Sequence, residues 1–327
     1  MGQAVPSGPP SGGLSGRAIR FAESLPAVPG RLGAAVLAAM TGSVMVGFLP
    51  LTARRLYAEG VSASSLLFWR YAIGLCAIAL AARLAGVALR QAARRGALRL
   101  TLVGATLGAA QTLCYFESLK WLETSVAVLL FYTYPALTLV LERILYRRPV
   151  RKLAVLCIAM ILVGAGLITA PGLDAGRIDP RGLLWALPGP LIYAFYLAVN
   201  ARLMGRHPPL AGAGFLYLGF ALSYLAVVLR CGLGMPHTAL GWAALLFIAL
   251  GAGALAITLF SYAVPRLGPS SYAILANTEL LTVVLVGTLA LGERMTANRM
   301  AAALLIAAGI LVHGLARRSR PASPSRP

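Results

Sequence analysis

An acid inside a long apolar run is the feature of this sequence with the most chemistry in it. Glu279 follows Asn277 and Thr278, about ten residues into a hydrophobic stretch that begins at Pro269. At about 1.5 Å per helical residue it stands about 15 Å along that helix. If the helix crosses a bilayer, this is near the midplane, where a carboxylate persists by facing a cavity or a partner. Such a group can bind a ligand ammonium or carry a proton, or it can pair with a neighbouring helix. Arg70 is the matching cation, about six residues into another apolar stretch. Its long stem can snorkel outward, or its head can meet an acid such as Glu279 or Glu117. Gln111, Tyr115, Tyr132, Tyr134, Tyr193, Tyr196 and Asn277 fall at comparable depths, where phenols and amides can orient a small polar ligand or simply pack between helices.

These residues need apolar elements to hold them, and the composition supplies little else. Of 327 residues, 59% are hydrophobic and 12% charged, against about 45–50% and about 25% in soluble domains. A spanning helix takes about 20 mainly apolar residues. Ten such stretches are expected, at 33–52, 64–84, 100–119, 124–145, 153–170, 182–204, 211–230, 239–264, 269–291 and 297–315. The fold class is therefore an all-α integral membrane protein. The segments 1–31 and 316–327 are rich in Pro, Gly, Ser and Arg and read as disordered tails. The first apolar stretch is longer than a signal-peptide core and is followed by further spans, so it reads as retained.

The net charge of +20 would suggest nucleic acid in a soluble chain. Here it is distributed between apolar blocks, and no nucleic-acid partner is expected. With ten spans, twenty of the 29 Lys and Arg fall on the side of the termini, eight on the other, and Arg70 within a helix. The positive-inside rule then puts both termini in the cytoplasm of a cell membrane.

Sliding the chain by 145 residues aligns the third to fifth helices with the eighth to tenth without a gap. Gly108 meets Gly253, Leu122 meets Leu267, Ser125 meets Ser270, Leu130 meets Leu275, Thr133 meets Thr278 and Gly164 meets Gly309. The boundaries and tight hairpins coincide as well. The chain thus reads as two five-helix repeats, 33–170 and 182–315. Because five is odd, the second repeat enters the membrane in the opposite sense, the inverted-repeat plan of many secondary transporters. In the same register Tyr132 matches Asn277 and Tyr134 matches Glu279, which suggests that these pairs face one another across a central cavity.

Four short motifs in this order resemble the EamA-type transporters of the ten-helix drug/metabolite transporter superfamily. They are Phe68-Trp69-Arg70-Tyr71, the hairpin from Glu117 to Ser125, Pro135 within the fourth helix, and Leu291-Gly292-Glu293-Arg294 closing the ninth. The resemblance covers about 33 to 315 and implies export of a small molecule. The chain departs from the family pattern at Leu280, where a proline matching Pro135 is frequent, and at Arg148, which aligns with Glu293. Symmetric kinking of the fourth and ninth helices is therefore not expected from prolines alone. Pro188 and Pro190 flank Gly189 in the sixth helix and mark a kink or gate.

The function these readings support is a secondary transporter exporting small polar metabolites such as amino acids by alternating access. Lipophilic drugs or other metabolites are the alternative cargo. The chain has no Walker A pattern, so a gradient rather than ATP hydrolysis in this chain supplies the energy. Cys76, Cys114, Cys157 and Cys231 lack paired spacing, and His207, His237 and His313 lie far apart, so neither a disulfide framework nor a metal or other cofactor is expected. The scattered acids argue against a membrane enzyme, and no filter-like loop points to a channel. Expected partners are the lipid bilayer and a small-molecule substrate. Gly104 and Gly108 suit helix contacts within a monomer as readily as in a homodimer.

Overall fold

The computed structural model describes residues 29–94, 96–118, 121–122, 124–146, 150–173, 179–291 and 295–318. Both predicted tails lie largely or wholly outside them, as do Lys120, Glu123, Arg148, Glu293 and Arg294. Among the described residues the chain is helical, without strands. The helical rods are α1 (29–58), α2 (Ala63–Leu84), α3 (97–118), α4 (124–146), α5 (Lys152–Leu173), α6 (Pro180–Arg206), α7 (Pro209–Cys231), α8 (Ala239–Leu267), α9 (269–291) and α10 (Ala297–Arg318), several with internal breaks. Among the described residues seven stretches are long and apolar enough to cross a membrane, in α1, α2, α3, α6, α7, α8 and α9. Shorter apolar stretches occupy Lys152–Leu167 and Ala297–His313. This is a multi-pass membrane protein.

Local signals set the ends. Ser62 caps α2 by accepting from Ser65 N–H, and Asp179 caps α6 by accepting from Arg181 N–H at 2.8 Å. Gly268 alone separates α8 from α9, at φ 81, a conformation open mainly to glycine, so the expected hairpin is as tight as one residue allows.

The packing exchanges its two halves. α1 lies against α8 and α9, and α6 lies against α3 and α4, so exchanging helices five places apart (α1 with α6, α3 with α8, α4 with α9) maps the first set onto the second. α2 packs on α7, and α5 on α10. Along α2 the partners run backwards on α7: Ser65 meets Gly234, Tyr71 meets Tyr224 and Tyr217, and Ile78 meets Gly214. Along α5, Cys157 meets Gly309 while Gly164 meets Ala302 and Ile306. Both pairs are antiparallel.

Lipid removes much of the hydrophobic drive between helices, so close contact falls to small residues. Gly219 on α7 lies on the backbone of α3 at Thr101 and Ala105, and Gly104 lies on Leu216. Gly104 and Gly108 are thus engaged within one chain. At that crossing α3 widens into a π-helical turn, Gly104–Gly108, and α8 does the same at Leu250–Leu255, the same place in the repeat register. Each π turn offers a carbonyl to the other half: Ser223 of α7 donates to Ala105 O at 2.8 Å, and Arg70 of α2 donates to Ala252 O at 2.8 Å.

Candidate functional site

The centre of the bundle is built on two broken helices. α4 is interrupted between Phe131 and Tyr134, and α9 at Asn277. Each break is sealed the same way, with Thr133 Oγ1 donating to Leu130 O at 2.7 Å and Thr278 Oγ1 donating to Leu275 O at 2.8 Å. The donors and acceptors are the repeat-matched pairs. Both helices therefore bend at equivalent places although only α4 has the proline. A hydroxyl folded back onto the i−3 carbonyl performs in α9 what Pro135 assists in α4.

The α9 break leaves Glu279 in the first turn of the half-helix Thr278–Leu291. Backbone N–H groups there carry partial positive charge, which favours a carboxylate. Glu279 is half-buried and shares a hydrogen bond with the Tyr132 phenol from the α4 break. Arg70 is coupled electrostatically to Glu279, but no contact-distance ion pair joins these two described residues. Tyr134, the repeat match of Glu279, interacts with it electrostatically and spends its hydroxyl elsewhere. Tyr134 directs its hydroxyl to Ala273 O at 3.4 Å, and Tyr132 takes the carboxylate.

Arg70 points inward rather than snorkelling. Nη2 is spent on Ala252 O, the Tyr217 hydroxyl accepts another guanidinium hydrogen bond, and Cζ sits 5.6 Å from the Tyr71 ring. Nε is buried without a hydrogen-bond partner.

A run of aromatic rings leads from the α4 break toward Arg70, by way of Tyr196, Phe220 and Tyr71. Tyr134 meets Tyr193 at 4.8 Å, Tyr193 meets Tyr196 at 5.8 Å, and Tyr196 stacks on Phe260 at 5.8 Å. Phe131, at the α4 break, touches Tyr115, Tyr132, Tyr134 and Tyr193 within 6.2 Å. Glu279, Arg70, Tyr115, Phe131 and Tyr193 are half-buried among fully buried neighbours. Gly189, between the two α6 prolines, approaches Gln111 O, Cys114 and Phe131, so the kink that begins at Leu187 seats α6 against these residues.

Two candidates stand apart. Gln111 donates to Thr112 Oγ1 at 2.6 Å, beside the ring and not against Glu279. Asn277 is wholly buried, its Nδ2 donating to Ala273 O at 2.6 Å and its Oδ1 unpartnered, so its amide serves the α9 break. Glu142 is buried and accepts from Ser270 N–H at the start of α9. Phe131 and Tyr217 carried no mark in the sequence as site residues, and Tyr71 stood out only as the neighbour of Arg70 in its motif. Tyr217 and Tyr71 were recoverable only through their pairing across α2 and α7.

A second polar assembly closes one end of the bundle. Glu59, just past α1, accepts from His237 N–H at 2.9 Å, Thr238 N–H at 3.2 Å and Thr238 Oγ1 at 2.5 Å, with Arg55 Nε at 3.4 Å. The Thr238 hydroxyl, then the two N–H groups and the Arg55 charge, hold its carboxyl below the usual glutamate range. A Cβ at Gly241 would collide with this carboxylate, so α8 starts with the glycine that lets it approach.

Comparison with known proteins places this geometry. The sequence profile described as the EamA-like transporter family matches residues 33–170 and again 180–315. An uncharacterized transporter of Synechocystis is 28% identical over 193 residues, 55% of this chain and 56% of that protein. The uncharacterized transporter YwfM of Bacillus subtilis is 25% identical over 209 residues, 63% of this chain and 70% of its own length. The match thus spans little more than half the length of the first relative. One solved crystal structure superposes with a TM-score of 0.76 at 21% identity, over 88% of this chain and 99% of the other, a likeness of fold.

Proposed function

Because the chain belongs to the EamA-like transporter family, we propose that it is a secondary transporter that exports small polar metabolites, amino acids among them, across the cytoplasmic membrane by alternating access. Ten helices span the bilayer in this reading, as two inverted five-helix repeats with both termini in the cytoplasm. The antiparallel packing of α2 on α7 and of α5 on α10 supports the inversion, because repeat-related helices must then run in opposite senses. The lopsided Lys and Arg count supports the orientation.

The single observation that carries the reading is Glu279. It is a half-buried carboxylate in the first turn of a half-helix, bonded to Tyr132 of the other repeat's broken helix, with aromatic rings around it. Discontinuous helices whose ends meet near the midplane are how transporters of this plan hold a polar cargo. Glu279 binds the cargo's ammonium or carries the coupling proton, and one substitution separates the two. In proteoliposomes, Glu279→Gln abolishes amino-acid flux if the carboxylate binds substrate. If it carries the proton, counterflow survives and pH-gradient coupling is lost. Wild-type flux with wild-type pH dependence overturns both.

A further inference from the structure

In the transporter reading Glu279 has a task, and Arg70, the cation of the site, has none. An arginine inside hydrocarbon is expensive, and the helix pair it joins does not need one, because the equivalent tie in the other half is made by the neutral Ser223 hydroxyl on Ala105 O. A hydroxyl is therefore enough to hold a π-turn carbonyl. Arg70 does the same task with Nη2 and Tyr217 takes a second donor, yet Nε remains buried with nothing to accept from it. Leaving a donor of a charged group unpaired is costly. Glu279, the nearest opposite charge, is coupled to Arg70 but not in contact with it. The two charges are held apart, Arg70 by the α8 π turn and Glu279 by Tyr132 and the α9 half-helix.

We infer that Arg70 receives the carboxylate of the cargo while Glu279 receives its ammonium, so that the site takes zwitterions and rejects the corresponding amines and acids. The inference rests on the transporter reading above. Guanidinium geometry matches a carboxylate with paired donors, and the unpaired Nε is the donor such a ligand would fill. Charge balance points the same way. Arg70 and Glu279 sum to zero, and only a cargo whose own charges sum to zero keeps the occupied site neutral inside the membrane, where net charge is penalised. A doubly charged phosphate would leave the site negative, which is why a carboxylate is the anion assigned. The tie to Ala252 O adds a consequence. A carboxylate competing for the guanidinium loosens Arg70 from the α8 π turn, so occupancy is communicated to the helix that packs on α1.

The test compares leucine, 3-methylbutylamine and 4-methylpentanoate, which share one side chain and differ only in the charged groups, with phenylalanine, threonine and their amines and acids as parallel sets. Each is assayed as flux into proteoliposomes of the full-length protein. Wild type is expected to move at least one zwitterion about 10- to 100-fold faster than its amine and its acid, the scale of a lost hydrogen bond to a charged group. Arg70→Gln should erase the preference over the amine, and Glu279→Gln the preference over the acid. Should Arg70→Gln fail to fold, the wild-type ratio still decides, since equal flux of zwitterion and amine overturns the inference. Uniform loss of all three ligands in a folded Arg70→Gln protein overturns it too, leaving Arg70 a structural tie. If wild type moves no zwitterion of any set, the amino-acid reading itself falls, an outcome distinct from failure of the Arg70 assignment.

Discussion

Gly219→Ala tests the close approach of α3 and α7 on which the π turn depends. A Cβ built on Gly219 falls 2.6 Å from Ala105 N and 3.0 Å from the Thr101 carbonyl carbon, and against the Thr101 oxygen. All three are backbone atoms of α3, so no side chain can swing aside. Ordinary contact needs about 3.5 Å or more, so the helices must part by about 1 Å. Overpacking that side chains can partly absorb costs about 1–3 kcal/mol, and a rigid backbone puts this case at the upper end. The separation also strains the Ser223 bond to Ala105 O, worth about 1 kcal/mol. A total of about 3–4 kcal/mol follows, which on the scaling for larger globular chains of about 2 °C per kcal/mol lowers Tm by about 6–8 °C. The control is Gly166→Ala in α5, whose Cβ meets nothing within 4 Å. There the relief of helix entropy should raise stability by up to about 1 kcal/mol. Thermal unfolding of both purified variants in one detergent reads the difference. A Gly219→Ala protein as stable as wild type, with Gly166→Ala unchanged or lower, would refute the reasoning.

Two further outcomes follow from residues outside the apolar core. The Glu59 carboxyl is held below its usual range, so the tie it makes to the start of α8 is complete above about pH 4.3, the ordinary glutamate value, and is lost as pH falls through the lowered one. Wild type should therefore show an acid limb in Tm below about pH 4.3 that Glu59→Gln flattens, and identical limbs in the two proteins would remove Glu59 from the account. For orientation, Arg94→Cys sits at an exposed position at the end of the short helix Leu89–Arg94 that follows α2 and should react with a membrane-impermeant maleimide only in inverted vesicles or permeabilised cells. Labelling from outside intact cells reverses the assigned topology.

What the sequence determined by itself was the solvent and the register. Apolar runs with so few charges can be paid for only in lipid, so membrane class and approximate helix positions are legible from composition and spacing. The 145-residue offset located Thr133 and Thr278, and Gly108 and Gly253, before any contact was seen, because duplication preserves position. Glu279 was legible for the same reason that it is rare, since an acid at that depth has few explanations.

Facing was not legible. A spanning helix is apolar toward lipid and toward its neighbours alike, so periodicity does not say which side a residue takes. Only packing decided that Arg70 turns inward to Ala252 and that Tyr132 rather than Tyr134 holds Glu279. It also turned Asn277 onto its own helix and placed Phe131 among four aromatic partners. The missing proline in α9 suggested asymmetry, and yet both helices break at matched positions, because backbone geometry can be broken by a threonine hydroxyl as well as by a pyrrolidine ring. The residues fix which groups are present in the apolar helices, and the packing of helix on helix, antiparallel for α2 on α7 and α5 on α10, fixes which of them can touch.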